Sequence, residues 1–106
     1  MAAAEIDHRG FDELMRGAGP VLVNYSSPWC FYCRRISGVY DAIARKYADR
    51  IRVVTVNTDE NAALARQEEI EILPTLVLYS KGRAVDSIVL PESQEMIETL
   101  IKRVLE

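Results

Sequence analysis

Apolar side chains recur every three or four residues from Ile36 to Tyr47, which is the period of one face of a helix. Gly38 interrupts this stripe and is expected to mark a bend or a close packing contact. Two other runs, Val21–Tyr25 and Ile51–Val56, are rich in β-branched residues and have the length of strands buried on both faces. The pattern therefore predicts two central parallel strands joined by a long helix.

Weaker patterns surround the two central runs. Residues 5–7 are expected to form a short edge strand, and the apolar side chains of Phe11, Leu14 and Met15 have helical spacing. A second short helix is predicted at Asn61–Gln67. Strands and helices thus alternate as far as Gln67, which favours parallel strands with crossover helices.

The pattern changes after Pro74. Thr75–Ser80 and Ala84–Leu90 flank the turn Lys81-Gly82, as expected of an antiparallel hairpin. Ser93 is the predicted N-cap of a last helix. The apolar face of that helix is expected to comprise Met96, Ile97, Leu100, Ile101 and Val104. The order β-α-β-α-β-α-β-β-α predicts an α/β fold, with a mixed central sheet flanked by helices on both faces.

Length and composition limit the functional classes. The 106 residues suit one domain, 1–106, with a single core, and a net charge of −3 with scattered basic residues argues against nucleic-acid binding. No apolar run approaches the about 18 residues of a membrane span, and no secretory signal follows the first methionine. We therefore expect a cytoplasmic protein, or a periplasmic or exported one if a signal peptide has been removed.

The only two cysteines, Cys30 and Cys33, come just after the first central run. One helical turn brings sulfurs at this spacing within bonding distance, so the pair can cycle between dithiol and disulfide. Inert packing and half of a metal site are the alternatives. A metal would need two further ligands, and the single histidine, His8, is far away in sequence. We expect a redox-active disulfide and no metal.

The two cysteines are expected to have different roles. Cys30 lies at the first turn of the predicted helix, where unpaired backbone N–H groups and the helix dipole favour a thiolate. Cys33 lies one turn further in, beside core residues, and should be less exposed. Cys30 is therefore the predicted nucleophile, and Cys33 the thiol that resolves the mixed disulfide.

Further segments have the order and spacing of the thioredoxin family, which the chain resembles over essentially its whole length. The matching segments are Val21–Tyr25 leading into Trp29-Cys30-Phe31-Tyr32-Cys33-Arg34, then Val56-Asn57-Thr58-Asp59, Ile72-Leu73-Pro74-Thr75 and Lys81-Gly82. The resemblance implies the thioredoxin fold and a cis peptide bond at Leu73-Pro74, beside the sulfurs, where backbone pairs with an extended substrate strand.

The substrate surface is expected to be apolar. Its predicted residues are Trp29, Phe31, Tyr32, Ile72, Leu73, Pro74, Thr75, Val89 and Leu90. For Trp29 the alternative is a core position, and for Phe31 and Tyr32 it is simple packing. The acidic cluster Glu68-Glu69-Glu71 is expected to be a solvated face, or else to repel acidic partners.

The resemblance also implies an activity. It is that of a protein disulfide oxidoreductase in electron transport and cell redox homeostasis, with no bound cofactor. The expected partners are proteins with disulfides and a disulfide reductase, an NADPH-linked flavoprotein, which supplies the electrons. The chain is expected to be a monomer.

Departures from the family pattern point to a specialised reductase. Thioredoxins usually carry Gly-Pro between the cysteines, where this chain has Phe31-Tyr32. Family glycines correspond to Ile72 and Leu90, and the family's buried aspartate corresponds to Asn24, so that Cys33 must lose its proton to water or to another group. The alternatives are a binding module with little turnover and an exported thioredoxin-like protein in disulfide or cytochrome maturation.

Overall fold

The computed structural model describes residues 3–105, which form a five-stranded sheet with helices on both faces. In chain order the elements are β1 (Ala4–Ile6), α1 (His8–Arg16), β2 (Val21–Ser26), α2 (Phe31–Lys46), β3 (Arg52–Asn57), α3 (Ala62–Gln67), β4 (Thr75–Ser80), β5 (Arg83–Val89) and α4 (Gln94–Leu105). The predicted fold class and order of elements are confirmed. No helix within residues 3–105 is long and apolar enough to cross a membrane.

The sheet has the strand order β1-β3-β2-β4-β5. β3 runs parallel to both β1 and β2, and the helix α2 connects β2 to β3 as a crossover. β4 is antiparallel to β2 and to β5. The β4–β5 turn has positive φ at Lys81 (55°) and Gly82 (76°), as a tight hairpin turn requires. A Cβ on Gly82 would lie 2.6 Å from the carbonyl oxygen of Met15, so only glycine fits there.

The sheet separates two apolar layers. The layer under α2 and α4 contains Leu22, Tyr40, Ile43, Ala44, Tyr47, Ile51, Val53, Leu76, Leu78, Ile97, Leu100 and Ile101. The layer under α1 and α3 contains Phe11, Val21, Val23, Tyr25, Val54, Val56, Leu64, Val77 and Tyr79. The alternation of side chains along each strand explains the division, because neighbouring residues point to opposite faces.

Three details of the sequence prediction are settled by the packing. The Ser93 hydroxyl accepts a hydrogen bond from the Met96 N–H at 3.2 Å, which confirms Ser93 as the N-cap of α4. Met96 itself is 40% exposed, so its place in the apolar face of α4 was wrong. A Cβ on Gly38 would meet nothing within 4 Å, so the expected close contact is absent within residues 3–105.

Candidate active site

The loop between β2 and α2 is held by side-chain hydrogen bonds. The Ser27 hydroxyl donates to a carboxylate oxygen of Asp59 at 2.8 Å and accepts from the Trp29 N–H at 3.2 Å. The Cys30 N–H donates to the Ser27 carbonyl at 3.2 Å. Asp59 follows β3 and Ser27 follows β2, which are parallel neighbours, so their carboxyl ends meet. The loop therefore delivers Cys30 to this edge of the sheet in a defined position.

Cys30 is the N-cap of α2, and both cysteines are free thiols. The Cys33 N–H donates to Cys30 Sγ at 3.2 Å. The Cys30 thiol in turn lies 3.7 Å from the Leu73 carbonyl oxygen, within reach of a weak hydrogen bond. Cys30 is half-buried, so an approaching disulfide can reach its sulfur.

Cys33 has a different environment, because it is only 5% exposed. Burial, and secondarily its hydrogen bond to the Cys30 sulfur, raises the pKa of Cys33 to about 12. Near neutral pH the Cys33 thiol therefore keeps its proton while Cys30 is accessible for attack. The geometry has the asymmetry expected of a nucleophile and a resolving thiol.

The loop before β4 lies beside the sulfurs. The peptide bond between Leu73 and Pro74 is cis, as the family resemblance implied. The Thr75 hydroxyl donates to the Ile72 carbonyl, and the Leu90 N–H donates to the Pro74 carbonyl at 2.9 Å. These bonds tie the loop to itself and to Leu90, which follows β5. We call this loop, which lies next to Cys30, the Pro74 ridge.

Three aromatic side chains project from the cysteine segment. Trp29 is 85% exposed, Phe31 60% and Tyr32 56%, so the alternative of a core position for Trp29 was wrong. The Phe31 and Tyr32 rings meet edge to face with centroids 5.6 Å apart, and the Arg35 guanidinium lies 5.9 Å from the centre of the Phe31 ring. The three aromatic side chains thus form an apolar surface that the rest of residues 3–105 leaves exposed.

Two grooves lie beside the Pro74 ridge, and six of the nine predicted substrate residues line one or the other. Trp29, Phe31 and Leu73 line neither of these two grooves, and Leu73 packs against the layer under α1 and α3. Tyr32, Pro74 and Leu90 line the first, a groove of about 530 Å³ between α2 and the residues before α4. Sequence reasoning missed its other lining residues, which are Arg35, Ile36, Val39, Pro91, Glu92, Ser93 and Ile97. These residues come from two segments that are far apart in the chain, 35–39 and 91–97, so no local sequence pattern links them.

Ile72, Thr75 and Val89 line the second groove, which has about 460 Å³ and lies along β5. The acidic residues Glu68, Glu69 and Glu71 border it. Glu68 is not simply a solvated residue as expected, because it is half-buried and its carboxylate accepts a hydrogen bond from the Tyr79 hydroxyl at 2.7 Å.

Asn24 lies in β2, on the face that α2 covers. It is 4% exposed, and its side-chain oxygen has no hydrogen-bond partner within residues 3–105. Its strand neighbours on this face are Thr55 and Leu76. The position expected from the family pattern to hold an acid therefore holds a neutral, incompletely bonded amide.

Among the described residues 3–105, no three side chains of His, Cys, Asp or Glu come together as a set of metal ligands. His8 lies at the start of α1, 3.9 Å from a carboxylate oxygen of Asp12.

Comparison with known proteins gives concordant matches. A family model described as Thioredoxin matches residues 2–103. Thioredoxin 1 of Synechococcus elongatus is 43% identical over 89 residues, which are 84% of this chain and 83% of that protein. The thioredoxin of Porphyra purpurea is 34% identical over 97% of each chain. A solved structure of Plasmodium falciparum thioredoxin has a TM-score of 0.87 over 95% of this chain and 98% of that one, at 24% identity, which shows the shared fold.

Proposed function

This chain belongs to the thioredoxin family and is a protein disulfide oxidoreductase, and from that premise we propose that it is a specialised reductase in which Cys30 attacks and Cys33 resolves. The observation that carries the assignment is the pairing of a half-buried Cys30, contacted by the Cys33 N–H at 3.2 Å, with a buried Cys33. Only one of the two sulfurs is placed to meet a substrate.

The reaction proceeds by two thiol–disulfide exchanges. The Cys30 thiolate attacks one sulfur of the substrate disulfide, whose S–S bond breaks, and the other substrate sulfur leaves and takes up a proton. Cys33 then loses its proton and attacks Cys30 Sγ. This second exchange forms the Cys30–Cys33 disulfide and releases the second substrate thiol, so two electrons pass from the protein to the substrate.

Turnover requires that the Cys30–Cys33 disulfide be reduced again by a partner. We assign this step to an NADPH-linked flavoprotein reductase, in a cytoplasmic setting and with the chain acting as a monomer. The specialised character rests on the exposed Phe31 and Tyr32 rings, on Leu90 beside the ridge, and on Asn24 beneath α2. The first three enlarge the apolar contact surface, while Asn24 removes a base from the resolving step.

The test combines insulin disulfide reduction with trapping of intermediates. The unmodified protein should reduce insulin, and Cys33→Ser should instead accumulate a mixed disulfide between Cys30 and the substrate. Cys30→Ser is the matched control and should accumulate none. Trapping by Cys30→Ser in place of Cys33→Ser would reverse the two roles, and an unmodified protein that leaves insulin intact would overturn the reductase proposal.

Asn24 favours a second candidate function, that of a binding module that holds a partner in the same site with little turnover. Without a buried acid, the Cys33 proton has no side-chain acceptor of the family type, so resolution is slowed. The double variant Cys30→Ser/Cys33→Ser separates the two functions, since a binding module would retain its partner when both sulfurs are lost. A reductase would lose its insulin activity completely.

A further inference from the structure

Leu90 has a backbone conformation that its side chain does not favour. Its φ is 54°, in the left-handed region that glycine adopts freely and that a branched, bulky residue rarely takes. The Leu90 N–H donates to the Pro74 carbonyl at 2.9 Å, and this hydrogen bond involves main-chain atoms alone. A glycine at this position would form the same bond without strain, so the fold does not explain the leucine.

Burial does not explain the leucine either. The residue is 42% exposed, and it belongs to neither buried cluster of the core. What its side chain does is form one wall of the groove between α2 and the residues before α4. Across that groove stand Tyr32 and Ile36 of α2, and the buried Ile97 of α4 lines it as well.

The groove lies close to the reacting centre. Pro74 lines it, and the carbonyl of the preceding residue, Leu73, is 3.7 Å from the Cys30 sulfur. Its volume of about 530 Å³ is in the range of pockets that enclose small ligands, about 300–1,000 Å³. A polypeptide that brings a disulfide to Cys30 therefore has space for a neighbouring side chain there.

Two charged residues, Arg35 and Glu92, also line the groove. Arg35 and Glu92 are exposed, and neither forms an ion pair within residues 3–105. They are free to hydrogen-bond the main chain of a bound segment, whose side chain would contact apolar groups inside. The groove along β5 differs, because Glu68, Glu69 and Glu71 border it.

We propose that the groove walled by Leu90 binds a large aliphatic or aromatic side chain next to the reacting cysteine of a substrate polypeptide, and that Leu90 is a specificity-determining residue. The proposal rests on the reductase function proposed above. It identifies the substrate class as disulfides flanked by residues such as leucine, methionine or phenylalanine. On this proposal, the contribution of the Leu90 side chain to the apolar wall of the groove offsets the strain in its backbone.

The test uses two disulfide-bonded peptides that differ at one position beside a cysteine, leucine in one and serine in the other. Reduced protein is mixed with each peptide, and oxidation of the Cys30–Cys33 pair is followed by the fluorescence of the single tryptophan, Trp29. We expect the leucine peptide to react about tenfold faster, the smallest discrimination expected for a filled apolar pocket. The ratio of the two rates cancels any change in thiol reactivity.

In Leu90→Gly the ratio should fall close to one, and Leu90→Ala should give an intermediate value. Leu90→Gly should unfold at no lower denaturant concentration than the unmodified protein, because glycine relieves the left-handed strain. Met96→Ala is the matched control, since Met96 is also 40% exposed but does not line the groove, and it should keep the full ratio.

Equal rates with both peptides would overturn the groove proposal alone, and a ratio that survives in Leu90→Gly would overturn the role of Leu90. Absence of reaction with both peptides would overturn the reductase function itself, and the groove proposal with it.

Discussion

The two layers of the core differ in whether every buried polar side chain has a hydrogen-bond partner. Under α1 and α3, the hydroxyl groups of Tyr25 and Tyr79 lie 2.7 Å apart, and Tyr79 donates onward to the Glu68 carboxylate at 2.7 Å. Under α2 and α4, the Tyr40 hydroxyl lies within hydrogen-bond distance of strand carbonyls, but the Asn24 side-chain oxygen has no partner within residues 3–105.

This difference shows that the fold tolerates one unpaired buried acceptor, the Asn24 side-chain oxygen. A complete network costs little on folding, whereas a buried acceptor without a partner keeps most of its desolvation cost. The incomplete group lies in the layer that α2 covers, and α2 begins just after its N-cap Cys30 and contains Cys33. The layer under α1 and α3 has no such group among the described residues. We expect this unpaired acceptor to lower the stability of the layer that α2 covers.

The substitution expected to lower stability most is Asn24→Asp, which acts on the unpaired amide in the layer under α2. It would place an ionised carboxylate in a buried site without a cationic partner, and we expect a loss of about 3 kcal/mol of unfolding free energy at neutral pH. The same carboxylate would supply a base for the Cys33 proton, so resolution of a mixed disulfide should become faster. Denaturant unfolding and single-turnover kinetics on one preparation measure both effects.

Asn24→Leu is the matched control for this experiment. It removes the unpaired acceptor and adds no charge, so it should leave stability unchanged or raised and should not speed resolution. If Asn24→Asp were as stable as the unmodified protein and no faster, residue 24 would not act on Cys33.

Tyr79→Phe should weaken the complete network on the other side of the sheet. It leaves the buried Tyr25 hydroxyl without its acceptor and removes the donor to Glu68 Oε1, while Gln67 still donates to Glu68 Oε2, for an expected cost of about 1–3 kcal/mol. The double variant Tyr25→Phe/Tyr79→Phe should cost less than the sum of the single changes, because no buried hydroxyl remains unpaired. A double-mutant cycle by urea unfolding measures this coupling, and strict additivity would contradict the network.

The same two tyrosines predict a loss of stability at alkaline pH. Burial raises the pKa of Tyr25 and of Tyr79 above the usual value of about 10. The folded chain therefore keeps protons that the unfolded chain releases, so stability is full below about pH 10 and declines as the pH rises further. Relative to Tyr25→Phe/Tyr79→Phe, the unmodified protein should lose up to about 1.4 kcal/mol per pH unit for each tyrosine.

Unfolding curves recorded from pH 8 to pH 11 test this prediction. Tyr40 and Cys33 also have raised pKa values, but both remain in the double variant, so their effects cancel in the comparison. Identical pH profiles for the two proteins would show that the tyrosine pair does not hold its protons in the folded state.

The smallest expected effect is a gain in stability from Gly38→Ala. Gly38 lies inside α2 on its exposed side, and a Cβ there would meet nothing within 4 Å. Alanine should therefore raise the unfolding free energy by about 0.5–1 kcal/mol through helix propensity alone. Thermal unfolding measures the change, with Gly82→Ala as a destabilising control because its Cβ would clash with the Met15 carbonyl. A loss of stability in Gly38→Ala would contradict the prediction that helix propensity alone decides the effect of a substitution at this position.

The elements of the fold could be predicted from the sequence because their signals are local. The apolar period from Ile36 to Tyr47 marked α2, the β-branched run Val21–Tyr25 marked β2, and the Lys81-Gly82 pair marked the hairpin turn. The cysteine pair was found in the same way, since two residues of spacing at a helix start have a direct chemical meaning. Such patterns depend only on neighbours within one or two turns of the chain.

The tertiary structure alone decided how distant segments meet. Tyr25 and Tyr79 were predicted only as strand residues, and their hydrogen bond exists because the β2–β4 register places both on one face beside Glu68. The separation of six predicted substrate residues into two grooves likewise follows from where α2, the Pro74 loop and the end of β5 dock. Strand register and helix docking depend on contacts between residues far apart in the sequence, and no local period of apolar residues encodes those contacts.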